Sequence, residues 1–74
     1  MTLVEAKEGK NLIIKSTGND ELTNMALRFG IGIGSNITIV RKIPNGPVIV
    51  SRNELEIALG RQLALAIEVE DANA

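Results

Sequence analysis

Apolar and polar residues alternate along most of this chain, and the alternation switches period once. Leu12-Ile13-Ile14-Lys15-Ser16-Thr17 carries the β-branched content of a strand, and Gly18-Asn19 ends it. Leu22, Met25, Ala26 and Phe29 then fall at i, i+3, i+4 and i+7, the spacing that puts four side chains on one helical face against a core. Asp20 or Asn19 is placed to cap that helix, and Gly30 to close it in the left-handed conformation. Period two returns at Ile37. Thr38, Val40 and Lys42 alternate with Ile37, Ile39 and Ile43, broken only by Arg41. Pro44-Asn45-Gly46-Pro47 follows as a turn, on the argument that Asn and Gly both tolerate positive φ, and Val48-Ile49-Val50 returns as the second strand of a hairpin.

Beyond the polar turn Ser51-Arg52-Asn53-Glu54, Leu55, Ile57 and Leu59 predict a further strand with its apolar face inward. Gly60 to Ala64 reads as a turn or a single helical turn. Leu65, Ile67 and Val69 against Ala66, Glu68 and Glu70 predict the closing strand, and Asp71 to Ala74 a frayed end. The short segment Leu3 to Gly9 leads into the first strand through a turn at Gly9. The expected fold is therefore mainly β, a single domain over residues 1–74. It is a small SH3-like barrel of about five antiparallel strands, with one short α-helix after the first strand and an OB-like barrel as the runner-up. A barrel removes the exposed edges that so small a domain handles poorly.

Composition narrows the function. At 74 residues the core is small, since such a chain buries only about 60% of the surface it exposes unfolded. There is no histidine and no cysteine, so the usual proton shuttle, thiol nucleophiles and the best transition-metal ligands are missing. An enzyme is not expected, nor is a bound cofactor. Of the carboxylates, Asp20-Glu21 suit the first turn of a helix. Glu54 with Glu56, and Glu68 with Glu70, are solvated strand pairs that offer at most a weak hard-cation site. Gly30-Ile31-Gly32-Ile33-Gly34 follows a helix and opens a strand, the reverse of a dinucleotide fingerprint. Its role is to turn the chain and tuck Ile31 and Ile33 against the core.

A formal net charge of −1 and a single aromatic, Phe29, argue against nucleic acid as a partner. No apolar run approaches the roughly 20 residues of a membrane span, so no membrane insertion is expected, and the absence of a leader pattern points to the cytoplasm. What remains is a binding module. The candidate contacts are Arg41, Lys42 and Arg52, which the hairpin places near one edge, together with Arg28 on the helix. Self-association is a second possibility, with Val48 and Val50 as candidates for an exposed, pairing-competent strand edge.

The residues that carry these arguments also carry a resemblance. The Lys7-Glu8-Gly9 turn, the helix end Phe29-Gly30-Ile31, Gly34, the strand Ile37-Thr38-Ile39-Val40-Arg41, Pro44-x-Gly46-Pro47 and Ile57-Ala58-Leu59-Gly60-Arg61 resemble the FeoA family over nearly the whole chain. The resemblance implies an SH3-like barrel that accompanies bacterial ferrous iron uptake. Its partner would be the cytoplasmic side of a FeoB-type GTP-binding membrane transporter. Similar domains occur at the C-terminus of metal-dependent repressors, so a metal-linked regulatory domain is the alternative, and transition-metal binding is known to the family without ligands being evident here.

Overall fold

The computed structural model describes residues 1–72. Among them run five strands and two helices: β1 (Asn11–Ser16), α1 (Asp20–Arg28), β2 (Asn36–Lys42), β3 (Val48–Arg52), β4 (Leu55–Leu59), α2 (Arg61–Ala66) and β5 (Glu68–Asp71). The strands form one antiparallel sheet in the order β4-β3-β2-β1-β5. The two end strands, β4 and β5, are consecutive in sequence and joined by six-residue α2, about 9 Å of helix. The sheet therefore coils back on itself as an SH3-like barrel, with α2 spanning the gap. Its interior is filled by Leu12, Ile14, Ile31, Ile37, Ile39, Val48, Val50 and Leu59, with Leu3, Leu63 and Ile67 sealing it, all 2% exposed or less.

The helix is short because its stop is strong. Asn19 caps the start, its Oδ1 accepting from the Leu22 amide at 2.9 Å. At the other end Gly30 takes φ +75°. The Gly30 amide donates to the Leu27 carbonyl and the Ile31 amide to the Ala26 carbonyl, both at 3.0 Å. This pair of bonds is the Schellman closure, and the buried Ile31 against buried Ala26 supplies its apolar contact. Thr17, 2% exposed, bonds Thr23 Oγ1 at 2.6 Å, and Thr23 donates on to the Asn19 carbonyl at 2.8 Å. That relay fixes α1 to the end of β1.

Several expectations need correction. Phe29 leaves the core face: the helix ends at Arg28, and the closure turns Phe29 outward, 44% exposed, so that Ile31 fills the interior instead. Ile33 is 70% exposed rather than tucked in. The Pro44-Asn45-Gly46-Pro47 turn closes with the Gly46 amide on the Ile43 carbonyl at 2.9 Å. Only Asn45 has positive φ, +57°. Proline second and positive φ third is the type II arrangement. A Cβ at Gly46 would stand 3.0 Å from Ile43 Cγ2, a close approach that the Ile43 side chain would have to relieve.

The tightest hairpin lies instead at Asn53-Glu54, both at positive φ (+51° and +69°), between the paired Arg52 and Leu55. Those angles are those of a type I′ turn, built here without glycine. Leu55 is 68% exposed, so only Leu59 of β4 is fully inward. Leu65 belongs to α2, not to a strand, and is 53% exposed; Leu63, Ala64 and Ile67 carry the burial at helical spacing. Asp71 is paired with Leu12 in β5 and bonded to Lys10 at 3.1 Å, so the chain is ordered through it. The expected fraying of residues 73 and 74 lies outside the described residues. Val48 and Val50, proposed for an exposed edge, are buried in a strand flanked on both sides.

Candidate partner-binding surface

The four basic candidates do not share one edge. A bulge decides this: β2 pairs Ile39 with Val50 and Arg41 with Ile49, which leaves Val40 as an extra residue. The alternation is reset there. Arg41 joins the outer face, exposed and without an ion pair among the described residues, while Lys42 pairs with buried Val48 and lies over the end of the core. Lys42 Nζ donates to the Val4 carbonyl at 3.0 Å and its amide to Glu8 Oε2 at 2.8 Å, so Lys42 ties down the N-terminal segment.

Arg52 sits four residues from Val48 along β3, roughly 13 Å away at the other end of the barrel. Its Nη1 donates to the Gly30 carbonyl at 2.7 Å, just past the end of α1. Arg28, in the last turn of α1 and exposed, belongs to this same end and has no hydrogen bond or ion pair among the described residues. Thus Arg28 and Arg52 are brought together, Arg41 stands apart on the outer face, and Lys42 serves the fold.

Around Arg28 and Arg52 the structure collects side chains that period counting assigned elsewhere. Leu27 at the end of α1 is 58% exposed, and Phe29 and Ile33 on the glycine-punctuated turn are 44% and 70% exposed. Leu55 is the cross-strand partner of Arg52 and therefore lies on the same face. Leu27 Cδ2 comes within 3.4 Å of where a Gly32 Cβ would be, so the turn and the helix end are in contact. These apolar groups are left exposed among the described residues. The sequence signal for them was the misfit of each to its neighbours: Leu27 off the apolar helical stripe, Ile33 isolated between glycines, Leu55 directly after a tight turn.

The turn that presents them is well fixed. Besides the helix closure, the Gly34 amide donates to the Ile14 carbonyl at 2.8 Å, and the Gly32 amide to Ser35 Oγ at 3.0 Å. The carboxylates do not assemble into a site. Glu68 faces the N-terminal ammonium and Glu70 faces Lys15, each at 3.5 Å. No cluster of three potential metal ligands and no pocket occurs among the described residues. The Thr2 amide, donating to Glu5 Oε1 at 2.7 Å, holds the Glu5 carboxyl below its ordinary value.

The sequence model of one family, described as the FeoA domain, matches residues 1–71. The chain belongs to the FeoA domain family. A Methanocaldococcus jannaschii protein provisionally named Fe(2+) transport protein A is 43% identical over 72 residues, 95% of this chain and 85% of its own length. Among solved structures, an iron uptake regulatory protein (FeoA) superposes with TM-score 0.82 at 26% identity, over 95% of this chain and 93% of its own. The Zn²⁺-bound ScaR matches with TM-score 0.83 at 27% identity, over 96% of this FeoA domain and 36% of ScaR. No helix among the described residues is long and apolar enough to cross a membrane.

Proposed function

We propose that this chain is a non-enzymatic accessory of ferrous iron uptake that binds the cytoplasmic side of a FeoB-type GTP-binding transporter. The observation that carries the binding role is the uncovered set Leu27, Phe29, Ile33 and Leu55, bordered by Arg28 and Arg52. An apolar centre with arginine at its margin is the composition of protein–protein interfaces. The turn that holds it is already ordered by backbone bonds, which lowers the entropy cost of docking. The FeoA family supplies the iron-uptake context. To modulate a transporter, the domain must bind one of its states more tightly than another, because equal affinity shifts nothing.

The test is an amide-shift titration of labelled protein with the transporter's cytoplasmic GTP-binding region, first with GDP and then with a GTP analogue. Shifts are expected at Leu27–Ile33 and Arg52–Leu55, differing between nucleotides. Arg28→Glu with Arg52→Glu should abolish them, whereas Arg41→Glu should leave them. Shifts confined to Arg41, or none at all, would refute this surface. The likeness to ScaR favours one alternative, a metal-linked regulatory domain. It requires tight Fe²⁺ or Mn²⁺ binding or DNA retardation by the isolated protein, and neither is expected from a chain without histidine or cysteine.

A further inference from the structure

A sheet with two end strands has two edges, and this fold covers only one of them. Along β5 the N-terminal segment is laid down as cover: Thr2 bridges Glu68, the Val69 amide donates to the Met1 carbonyl at 2.8 Å, and the Leu3 amide donates to the Ile67 carbonyl at 3.1 Å. Along β4 there is no such cover. The strand packs closely only on β3, and Leu55, Glu56 and Ala58 are exposed.

The ladder fixes which backbone groups are free. Arg52 and Leu55 flank a two-residue turn, so they form a hydrogen-bonded pair, and bonded and non-bonded pairs then alternate. Leu55, Ile57 and Leu59 point their amides and carbonyls at β3. Glu56 and Ala58 point theirs outward, and no bond to either is made by another described segment. β4 has no proline, no lysine and no bulge, its register with β3 is unbroken over five residues, and Glu56 is its one charged residue.

We propose that β4 is a self-pairing edge, through which a second copy of this chain adds antiparallel with Ile57 on the two-fold axis. In that register Glu56 lies opposite Ala58 of the second copy, and the reverse, so all four outward groups of each edge are satisfied. A register centred on Glu56 would set like charges face to face, which is destabilising. Charge also selects the second copy as occupant. The edge begins at acidic Glu54 and ends at Arg61, neither of which has an ion-pair partner among the described residues. Antiparallel pairing sets Glu54 of each copy beside Arg61 of the other, whereas parallel pairing would set acid on acid. The inference stands on the sheet alone and does not depend on a transporter. A five-strand-residue edge gives an interface well below the standard of about 1,600 Å², so the association is weak and concentration-dependent.

The full chain tests this by sedimentation and amide exchange over a concentration series reaching about 1 mM, the weak end of specific association. A monomer–dimer equilibrium is expected. The Glu56 and Ala58 amides should gain protection only as dimer forms, while the Ile57 amide is protected throughout. Ala58→Pro removes an outward amide and no ladder bond, so this variant should fold and stay monomeric. Glu54→Arg should weaken the dimer by about threefold to tenfold, and adding Arg61→Glu should restore it. The swap is independent of whether the proline variant folds. Three results would overturn the proposal: a monomer at every concentration, a folded Ala58→Pro chain that dimerises like the parent, or protection at Glu56 and Ala58 that appears only with another protein.

Discussion

Replacing Arg52 by methionine removes the guanidinium and keeps most of the aliphatic stem, so it isolates one hydrogen bond. That bond joins the β3–β4 hairpin to the carbonyl of Gly30, immediately beyond the Schellman closure, at 2.7 Å. A hydrogen bond to a charged group is worth about 1.5–3 kcal/mol when sheltered. Gly30 is exposed and Arg52 half-buried, so water replaces part of the loss, and a destabilisation of about 1 kcal/mol is expected. For 74 residues, total stability is on the order of 4–11 kcal/mol. The loss is then roughly a tenth to a quarter of the whole, visible as a drop in Tm of about 4–8 °C. Urea unfolding followed by far-ultraviolet circular dichroism measures it, with the m-value unchanged. The amides of Phe29 to Ile33 should also exchange faster by more than the global loss of stability accounts for, because the clamp acts on that turn. Arg52→Lys keeps the charge but not the planar fork and should recover only part of the effect. A Met variant within about 0.3 kcal/mol of the parent would show that the backbone closure alone fixes the turn.

Other expectations follow from the same contacts. Leu3→Ala opens a cavity at a fully buried position and should cost about 2–5 kcal/mol in urea unfolding, enough to bring so small a domain close to its limit. Thr17→Val removes the buried donor to Thr23 and should cost about 1 kcal/mol; the Thr17→Val, Thr23→Val double variant should cost less than the sum, since it leaves no orphaned hydroxyl. Glu5 is held below its ordinary value of 4.5 by the Thr2 amide, a depressed folded value. Its contribution is therefore present above that pH and lost as pH falls through the folded value, so the stability gap between parent and Glu5→Gln should close on acidification and be flat above pH 4.5. A gap that widened in acid would reverse the assignment.

The parts of the fold legible in the sequence are those where local chemistry and tertiary packing agree. Gly30 as a helix stop stands in the structure, and of the two cap candidates, Asp20 and Asn19, it is Asn19 that caps while Asp20 is the first helical residue. The Ile37 and Ile39 interior followed from period two, whereas Val48 and Val50, offered as an exposed edge, are buried beside them. Leu65-Ile67-Val69 misled because Leu63, Ala64 and Ile67 satisfy a helical period over the same stretch, and short apolar runs do not distinguish the two. The basic edge was misread for two reasons: a bulge at Val40 reverses the faces of Arg41 and Lys42, and the length of β3 carries Arg52 to the other end of the barrel. Such a bulge leaves no signal in period counting beyond the break at Arg41 itself. The exposure of Ile33 and Leu55 was hidden because both were assigned inward, and Leu27, off the core stripe of α1, was assigned to no face.

Leu55 links the two proposed surfaces. It is the cross-strand partner of Arg52 at the end of α1, and it is also the first residue of the uncovered β4 edge. A second copy laid along β4 would bring its Leu59 and Gly60 against Leu55 and crowd the space a transporter would occupy there. The two associations then compete, and linkage requires the competition to run both ways: whatever weakens self-pairing must raise the apparent affinity for the partner by the fraction of monomer released. Ala58→Pro lies off the Arg28–Leu55 surface, since Ala58 pairs with Ile49 rather than Arg52. It should therefore tighten apparent transporter binding at high protein concentration and leave it unchanged at low concentration. An effect at all concentrations would place Ala58 in the transporter contact itself, and no effect at any would mean that the two surfaces are occupied independently.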